Sequence, residues 1–188
     1  NDHGRWVVPG IGIYFLSPRE RDWPLDEVSR QLFFTRQQGL AGHAYFRNRF
    51  LLDNVKGIFD EVKYEFYNAP ALIPPMTWQD SIAPSAPTSP MYEAQADGRV
   101  KLAWEASKDN HDLPVVYHLY ASASYPVDTE NAHHLFATHL KDTTIIVKEG
   151  YYYAVTSADR YGNESAPLAL NHAPELDIPI LNQGNKLT

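Results

Sequence analysis

Several side chains in this sequence have types and spacings that invite a chemical reading. His133, His134 and His139 fall within one short stretch, and imidazole is a common zinc ligand. Their spacing matches no firm ligand pattern and no carboxylate completes a set, so surface histidines and no metal are expected. Asp109, Asp112 and Asp159 raise calcium, but they lack the dense alternating acids of a calcium-binding loop. Glu20 and Asp22 place two carboxyl groups on one polar loop ahead of Pro24. His43 follows Gly42 and alternates with Ala44, so one of the pair points away from solvent; a lone histidine in such a run reads as structural. There is no Gly-rich phosphate loop, no Ser-His-Asp ordering and no cysteine, which removes disulfide, thiolate and Cys-zinc chemistry. No cofactor is expected.

Composition narrows the partners. The 188 residues carry a formal net charge of −7, without the basic surface that nucleic acid requires or a polybasic membrane patch. No apolar run approaches the roughly 20 residues that span a bilayer. Aromatic residues make up 13%, a richness that suits both β-structure and carbohydrate contact. The chain opens on Asn1 without a leader segment, which reads as a cleavage boundary.

The elements that must position these groups change character near residue 68. Val7 to Leu16 reads as a buried strand, with Gly10 and Gly12 allowing close backbone approach. Pro24 opens a helix with Asp26 and Glu27 in its first turn; Leu25, Val28 and Leu32 share a face, joined by Phe33, and Gly39 ends it. A second strand is expected over Ala41 to Phe46. A second helix, capped by Asp53 or Asn54, would bury Val55, Phe59, Val62 and Phe66. The order β-α-β-α implies a parallel sheet with crossover helices. Two such units have too little to pack against, so residues 1–67 are expected to belong to something larger or to self-associate.

A Pro-rich linker follows over residues 68–84, and short alternating segments continue to about residue 170. Expected strands include Ser85 to Ala94, one carrying Val100, Leu102 and Trp104, one around Val116 to Ala121, and one carrying Tyr151, Tyr153 and Val155. About seven short strands with regular turns argue a β-sandwich over residues 85–172, followed by a tail over 173–188 in which Leu176 to Leu181 could add a strand. Tyr117 and Tyr152 are the candidates for an exposed aromatic row, and Trp78 is expected to pin the linker.

Two family resemblances sharpen this reading. Ala86-Pro-Thr88, Val100-x-Leu-x-Trp104, Tyr117-x-Leu-x-Ala121 and Tyr151-Tyr-Tyr-Ala-Val155 running into Ala158-Asp-Arg-Tyr-Gly-Asn-Glu-Ser165 resemble a fibronectin type III domain. The resemblance implies that Trp104 is a core residue and that a tyrosine, here expected to be Tyr151, makes the corner hydrogen bond. The first part resembles the end of the glycosyl hydrolase-like 10 family. The carrying stretches are Gly10-Ile-Gly-Ile-Tyr14, Trp23-Pro24, Gly39-Leu-Ala-Gly-His-Ala-Tyr-Phe46, Asp53-Asn-Val-Lys-Gly57 and Ala69-Pro-Ala-Leu-Ile-Pro-Pro-Met-Thr-Trp-Gln-Asp80. This resemblance implies that the two strands are the seventh and eighth of a TIM barrel whose other six βα units are absent here.

Active residues of such barrels sit at the C-terminal strand ends. Those ends would carry Tyr14, Phe15, Tyr45, Phe46 and Arg47, with Glu20 and Asp22 in the first loop as candidate catalytic acids. Tyr45, Arg47 and Tyr14 are the candidate substrate contacts, because tyrosine stacks on sugar faces and arginine binds hydroxyls or carboxylates. The implied function is the C-terminal portion of a bacterial glycoside hydrolase acting on polysaccharide through the missing barrel, with peptidoglycan glycan strands as the implied substrate class and a periplasmic, secreted or surface-anchored location. The alternative is a non-catalytic carbohydrate- or protein-interaction module or spacer.

Overall fold

The computed structural model describes residues 4–171, and within them the chain organises around two hydrophobic cores. One draws on positions between Ile11 and Phe66, the other on positions between Val100 and Leu170. The strand expected from Leu176 to Leu181 lies outside the described residues.

In the first unit, β1 (Gly10–Ile11) and β2 (Ala44–Tyr45) pair in parallel. The ladder extends beyond both: Ala44 donates to Pro9, Phe46 to Ile11 and Tyr14 to Phe46. The crossover between them contains α1 (Leu25–Gln37), which Pro24 precedes and which carries Asp26 and Glu27 in its first turn. Val28 and Leu32 are fully buried against Ile11, Ile13 and Leu16. The long strands expected over Val7 to Leu16 and Ala41 to Phe46 are therefore much shorter. Only one partner strand is available, and the chain leaves β1 into a 3-10 turn over Ile13–Leu16, whose three-residue spacing buries Ile13 and Leu16 together.

The second helical region is also broken up. A short α2 (Arg49–Leu52) comes first, and α3 (Ile58–Glu61) then continues into a π-type turn over Val62–Phe66. Asn54, Lys56 and Gly57 all have positive φ, so the helix restarts in a new phase after Gly57. Ile58 and Phe66 take the buried positions, whereas Phe59, expected inside, faces out. Ser29 Oγ donates to Glu61 Oε1 at 2.6 Å, and Arg36 donates to the Phe66 carbonyl, fastening α1 to this region.

One side of this unit is uncovered. Phe33, expected to join the face of Val28 and Leu32, instead lies one position past it, and Phe33 and Phe34 are each 59% exposed on α1. Beside the edge of β1 they help line a groove of about 660 Å³ with Pro9, Gly10, Ile11 and Leu40. A two-stranded sheet with an open edge and an apolar groove is marginal alone.

Among the described residues the second unit contains seven strands: β3 (Thr88–Ala94), β4 (Arg99–Glu105), β5 (Val116–Ser122), β6 (Leu135–Leu140), β7 (Thr144–Lys148), β8 (Tyr152–Ala158) and β9 (Leu168–Ala169). They form a three-stranded sheet, β3-β4-β7, and a four-stranded sheet, β6-β5-β8-β9, with antiparallel pairing throughout. Period-two alternation aims Val100, Leu102 and Trp104 of β4, Val147 of β7, Tyr117 and Leu119 of β5, and Tyr153 and Val155 of β8 into one shared core. Tyr117, expected as an exposed aromatic, is thus buried; its hydroxyl accepts from the Ser107 backbone N–H at 2.9 Å. Tyr152 is half-buried, with its ring 5.6 Å from that of Tyr125.

The corner tyrosine is Tyr153 rather than Tyr151. Tyr153 is 1% exposed and its hydroxyl donates to the Lys148 carbonyl at 2.6 Å, while Tyr151 is 45% exposed. Tyr153 shares the inward parity of Val155, whereas Tyr151 precedes the strand. The outer face of β5 and β8 is buried too. His118, Tyr120 and Thr156 lie there, and the Glu164 carboxylate accepts from Tyr120 Oη at 2.7 Å and from Thr156 Oγ1.

The Pro-rich segment packs on both units. Met76 N donates to the Tyr161 carbonyl at 2.8 Å. Trp78 sits edge-on to Trp6 at 5.4 Å, and Trp6 Nε1 donates to the Pro75 carbonyl. Gly162 has φ +82°, and a Cβ placed there would stand 3.1 Å from the Ile73 carbonyl oxygen. Among the described residues no helix is long and apolar enough to cross a membrane.

Candidate functional site

The C-terminal ends of β1 and β2 bring together side chains from two distant stretches. Because Ile11 and Ile13 turn toward the helices, the residues immediately after the strands emerge at one rim. The Tyr14 ring lies 4.1 Å from Phe15 and stands edge-on to Phe46 at 5.6 Å. The Arg47 guanidinium lies 5.4 Å from the Tyr14 ring and 5.8 Å from Phe46. On the other flank Arg21 lies 4.2 Å over Phe15, whose ring is 4.7 Å from Trp23. The result is a row of aromatic faces bracketed by two guanidinium groups. Such a surface offers stacking area beside multiple N–H donors, a combination suited to polyhydroxylated rings.

Tyr14 and Arg47 thus come together, and Phe46, 60% exposed, joins them. Tyr45 sits elsewhere: it packs against the helical core, and its hydroxyl lies 2.8 Å from His43 Nε2. Tyr67 Oη approaches the same nitrogen at 3.1 Å. Burial, and then the neighbouring Tyr67, push the Tyr45 phenol above its ordinary pKa, so it stays protonated as a donor. Asp22 is paired with Lys56, whose Nζ lies 2.6 Å from Oδ1 and also donates to the Trp23 carbonyl at 2.7 Å. Glu20 is exposed in the same loop.

The histidine stretch is divided among separate partners. His134 Nδ1 lies 2.8 Å from the Asp128 carbonyl, and the His139 ring packs edge-on to His118 at 5.3 Å. Asp109 and Asp159 converge, joined by Asp80 rather than by Asp112. The sequence pattern does not reveal Asp80, nor the stacking of Arg21 and Trp23 on Phe15. The latter depends on a turn in which Trp23 N returns to the Phe15 carbonyl at 2.9 Å, and Ser17 with Pro18 is its only local signal.

One half-buried imidazole, His43, and one buried imidazole, His118, carry a pH prediction. His43 is held below its ordinary pKa by burial and then by Arg36; His118 is lowered first by burial. The folded state therefore favours neutral rings. As pH falls through about 6.5 the unfolded chain binds protons first and stability declines, saturating below the folded values. The melting temperature is expected to be lower at pH 5.5 than at pH 7.5; equal or higher values at pH 5.5, read by scanning fluorimetry, would contradict this.

No family model matches the chain. It is 30% identical over 149 residues to the glycosyl hydrolase YngK of Bacillus subtilis (strain 168), a match covering 74% of this chain and 28% of that protein. The chain is thus related to a glycosyl hydrolase while spanning little more than a quarter of its length. Among solved structures, FN3tt is similar over 47% of this chain and 90% of its own, with 16% identity and a TM-score of 0.36. The spore cortex lytic enzyme SleM of Clostridium perfringens is similar over 89% of this chain and 68% of its own, with 10% identity and a TM-score of 0.35.

Proposed function

We propose, starting from the relationship to a glycosyl hydrolase, that this chain forms the C-terminal part of a glycoside hydrolase of the glycosyl hydrolase-like 10 kind. Residues 1–67 are the last two βα units of a (β/α)8 barrel, 68–84 the linker, 85–172 a fibronectin type III-like sandwich and 173–188 a tail. Bacterial polysaccharide is the substrate, with peptidoglycan glycan strands the first class to test, and the enzyme acts in the periplasm, outside the cell or at its surface. The observation that carries the reading is the row of aromatic and guanidinium groups at the C-terminal ends of two parallel strands, where barrel enzymes hold substrate.

The open edge of β1 and the groove beside Phe33 and Phe34 support a missing neighbour on that side. The same open surface favours self-association when the unit stands alone. In this reading Tyr14, Phe46 and Arg47 contact the glycan, and Tyr45, oriented by His43 and Tyr67, supports the rim from behind. With Asp22 committed to Lys56, the general acid that protonates the leaving oxygen is supplied mainly by the preceding strands, with Glu20 as the acid of this loop closest in sequence to the rim.

The test is reducing-end release from purified glycan strands and from chitin by the whole hydrolase that contains this chain. Release is expected, and Arg47→Ala is expected to lower kcat/KM by roughly tenfold or more, about 1.4 kcal/mol of transition-state binding. A folded whole protein that cleaves no glycan would sink the proposal.

A further inference from the structure

Asp80, Asp109 and Asp159 come from three separate segments: the Pro-rich stretch, the loop between β4 and β5, and the turn after β8. Each offers a carboxylate oxygen, and these oxygens all lie within 4.8 Å of one another. Asp109 and Asp159 are buried, and the Asp80 side chain is only 6% exposed. Backbone and amide donors serve most of these groups. Asp109 Oδ2 accepts from His111 N and Leu113 N; Asp159 accepts from Tyr161 N, Asn163 N and Asn163 Nδ2; Asp80 Oδ1 accepts from Ile82 N.

Asp80 Oδ2 is different. It is buried without a hydrogen-bond partner, although its residue belongs to the converging trio. The basic group beside it, His111 Nε2, is 3.5 Å away on a side chain that is 60% exposed. A buried carboxylate oxygen without a hydrogen-bond partner, on a side chain that converges with two further carboxylates, calls for a positive charge nearby.

We propose that Asp80, Asp109 and Asp159 bind a calcium ion that clamps the Pro-rich segment to the loop end of the two-sheet unit. The donor set is all oxygen, which suits a hard cation. Ligands drawn from three loops suit the flexible geometry of calcium better than the strict octahedron of magnesium, which also sheds water reluctantly. Oxygens on opposite sides of a calcium ion stand about 5 Å apart, so the observed convergence needs little rearrangement. Asn163 prepares the site: its Nδ2 donates to the Asp80 carbonyl at 3.0 Å and to Asp159 Oδ2 at 2.7 Å, holding the two segments in register. This inference is independent of the glycosidase reading.

The test uses the 188-residue chain stripped of metal with a chelator. Calcium titrated by calorimetry is expected to bind at one equivalent and to raise the melting temperature with the logarithm of free calcium once that exceeds the dissociation constant. Asp80→Asn, which retains an oxygen for Ile82, is expected to weaken binding at least tenfold while the circular dichroism spectrum stays unchanged. In the unmodified chain the amide resonances of Ile82, His111 and Asn163 are expected to shift on calcium addition, a readout that holds even if the variant fails to fold. The proposal is overturned by any of three results: no saturable calcium binding at millimolar concentration, undiminished affinity in folded Asp80→Asn, or binding of zinc in the absence of calcium binding.

Discussion

Trp104→Ala is expected to destabilise the two-sheet unit by about 3–5 kcal/mol, a large part of the stability of a domain this size. The side chain is 3% exposed at the centre of the shared core, and its ring meets Tyr117 edge-on at 5.3 Å. Val100 and Leu102 of the same strand and Val155 of the facing sheet belong to the same core, so truncation opens a cavity that a rigid pair of sheets closes poorly. Trp104 Nε1 is buried without a hydrogen-bond partner. Trp104→Phe removes that unpaired N–H along with part of the ring, and its cost should therefore fall well below that of the alanine variant. Urea unfolding followed by circular dichroism measures both. Equal losses for the two variants would mean that the removed volume does not set the cost here, and a loss under about 1 kcal/mol for alanine would mean that the core collapses around the gap.

Asp159→Ala should cost about 3 kcal/mol or more, through polar interactions instead of packing. One buried carboxylate accepts Tyr161 N at 2.8 Å, Asn163 N at 2.8 Å and Asn163 Nδ2 at 2.7 Å. Removing it leaves these donors unsatisfied in a site that excludes most water, and hydrogen bonds to a charged acceptor are the stronger kind. The damage should spread to the Pro-rich segment, because Tyr161 holds Met76 and Asn163 holds the Asp80 carbonyl. Limited proteolysis is therefore expected to cut residues 68–84 faster in the variant under conditions where the sheets remain folded. Unchanged cleavage together with full stability would show that the turn is maintained by its backbone alone.

The parts of the fold most readable in the sequence are those whose signal is local and repetitive. Alternation placed β4, β5 and β8, and Pro24 with Asp26 and Glu27 marked the start of α1. The parts that escaped depend on what a segment meets. Val7 to Leu16 has the composition of a long strand, but strand length is set by partners and β1 has one. The helix after Asn54 carries a regular apolar spacing, yet the positive φ values at Lys56 and Gly57 reset its phase and bury Ile58 instead of Phe59. Tyr151 and Tyr153 are indistinguishable by type and by parity; they are separated by where β8 begins, at Tyr152, which leaves Tyr151 outside the strand.

The candidate rim was partly readable in the same way. Tyr14 and Arg47 lie just beyond apolar runs, where strand ends were expected, and the fold brings them together. Tyr45 has the opposite parity from Phe46, so it turns to the helices. Asp80 carried no signal because its neighbours Asp109 and Asp159 are distant in sequence and meet it only through the packing of the Pro-rich segment.

That packing has a mechanical consequence. Proline fixes its own φ, and the segment carrying Pro70, Pro74, Pro75, Pro84 and Pro87 has few soft torsions to absorb a load. Its middle, Ile73 to Trp78, is held from both sides at once, through Trp6 against Trp78 and through Tyr161 and Gly162. It behaves as a strut rather than a tether: a pull applied to the sheets reaches the segment around Trp6 with little of it lost as slack.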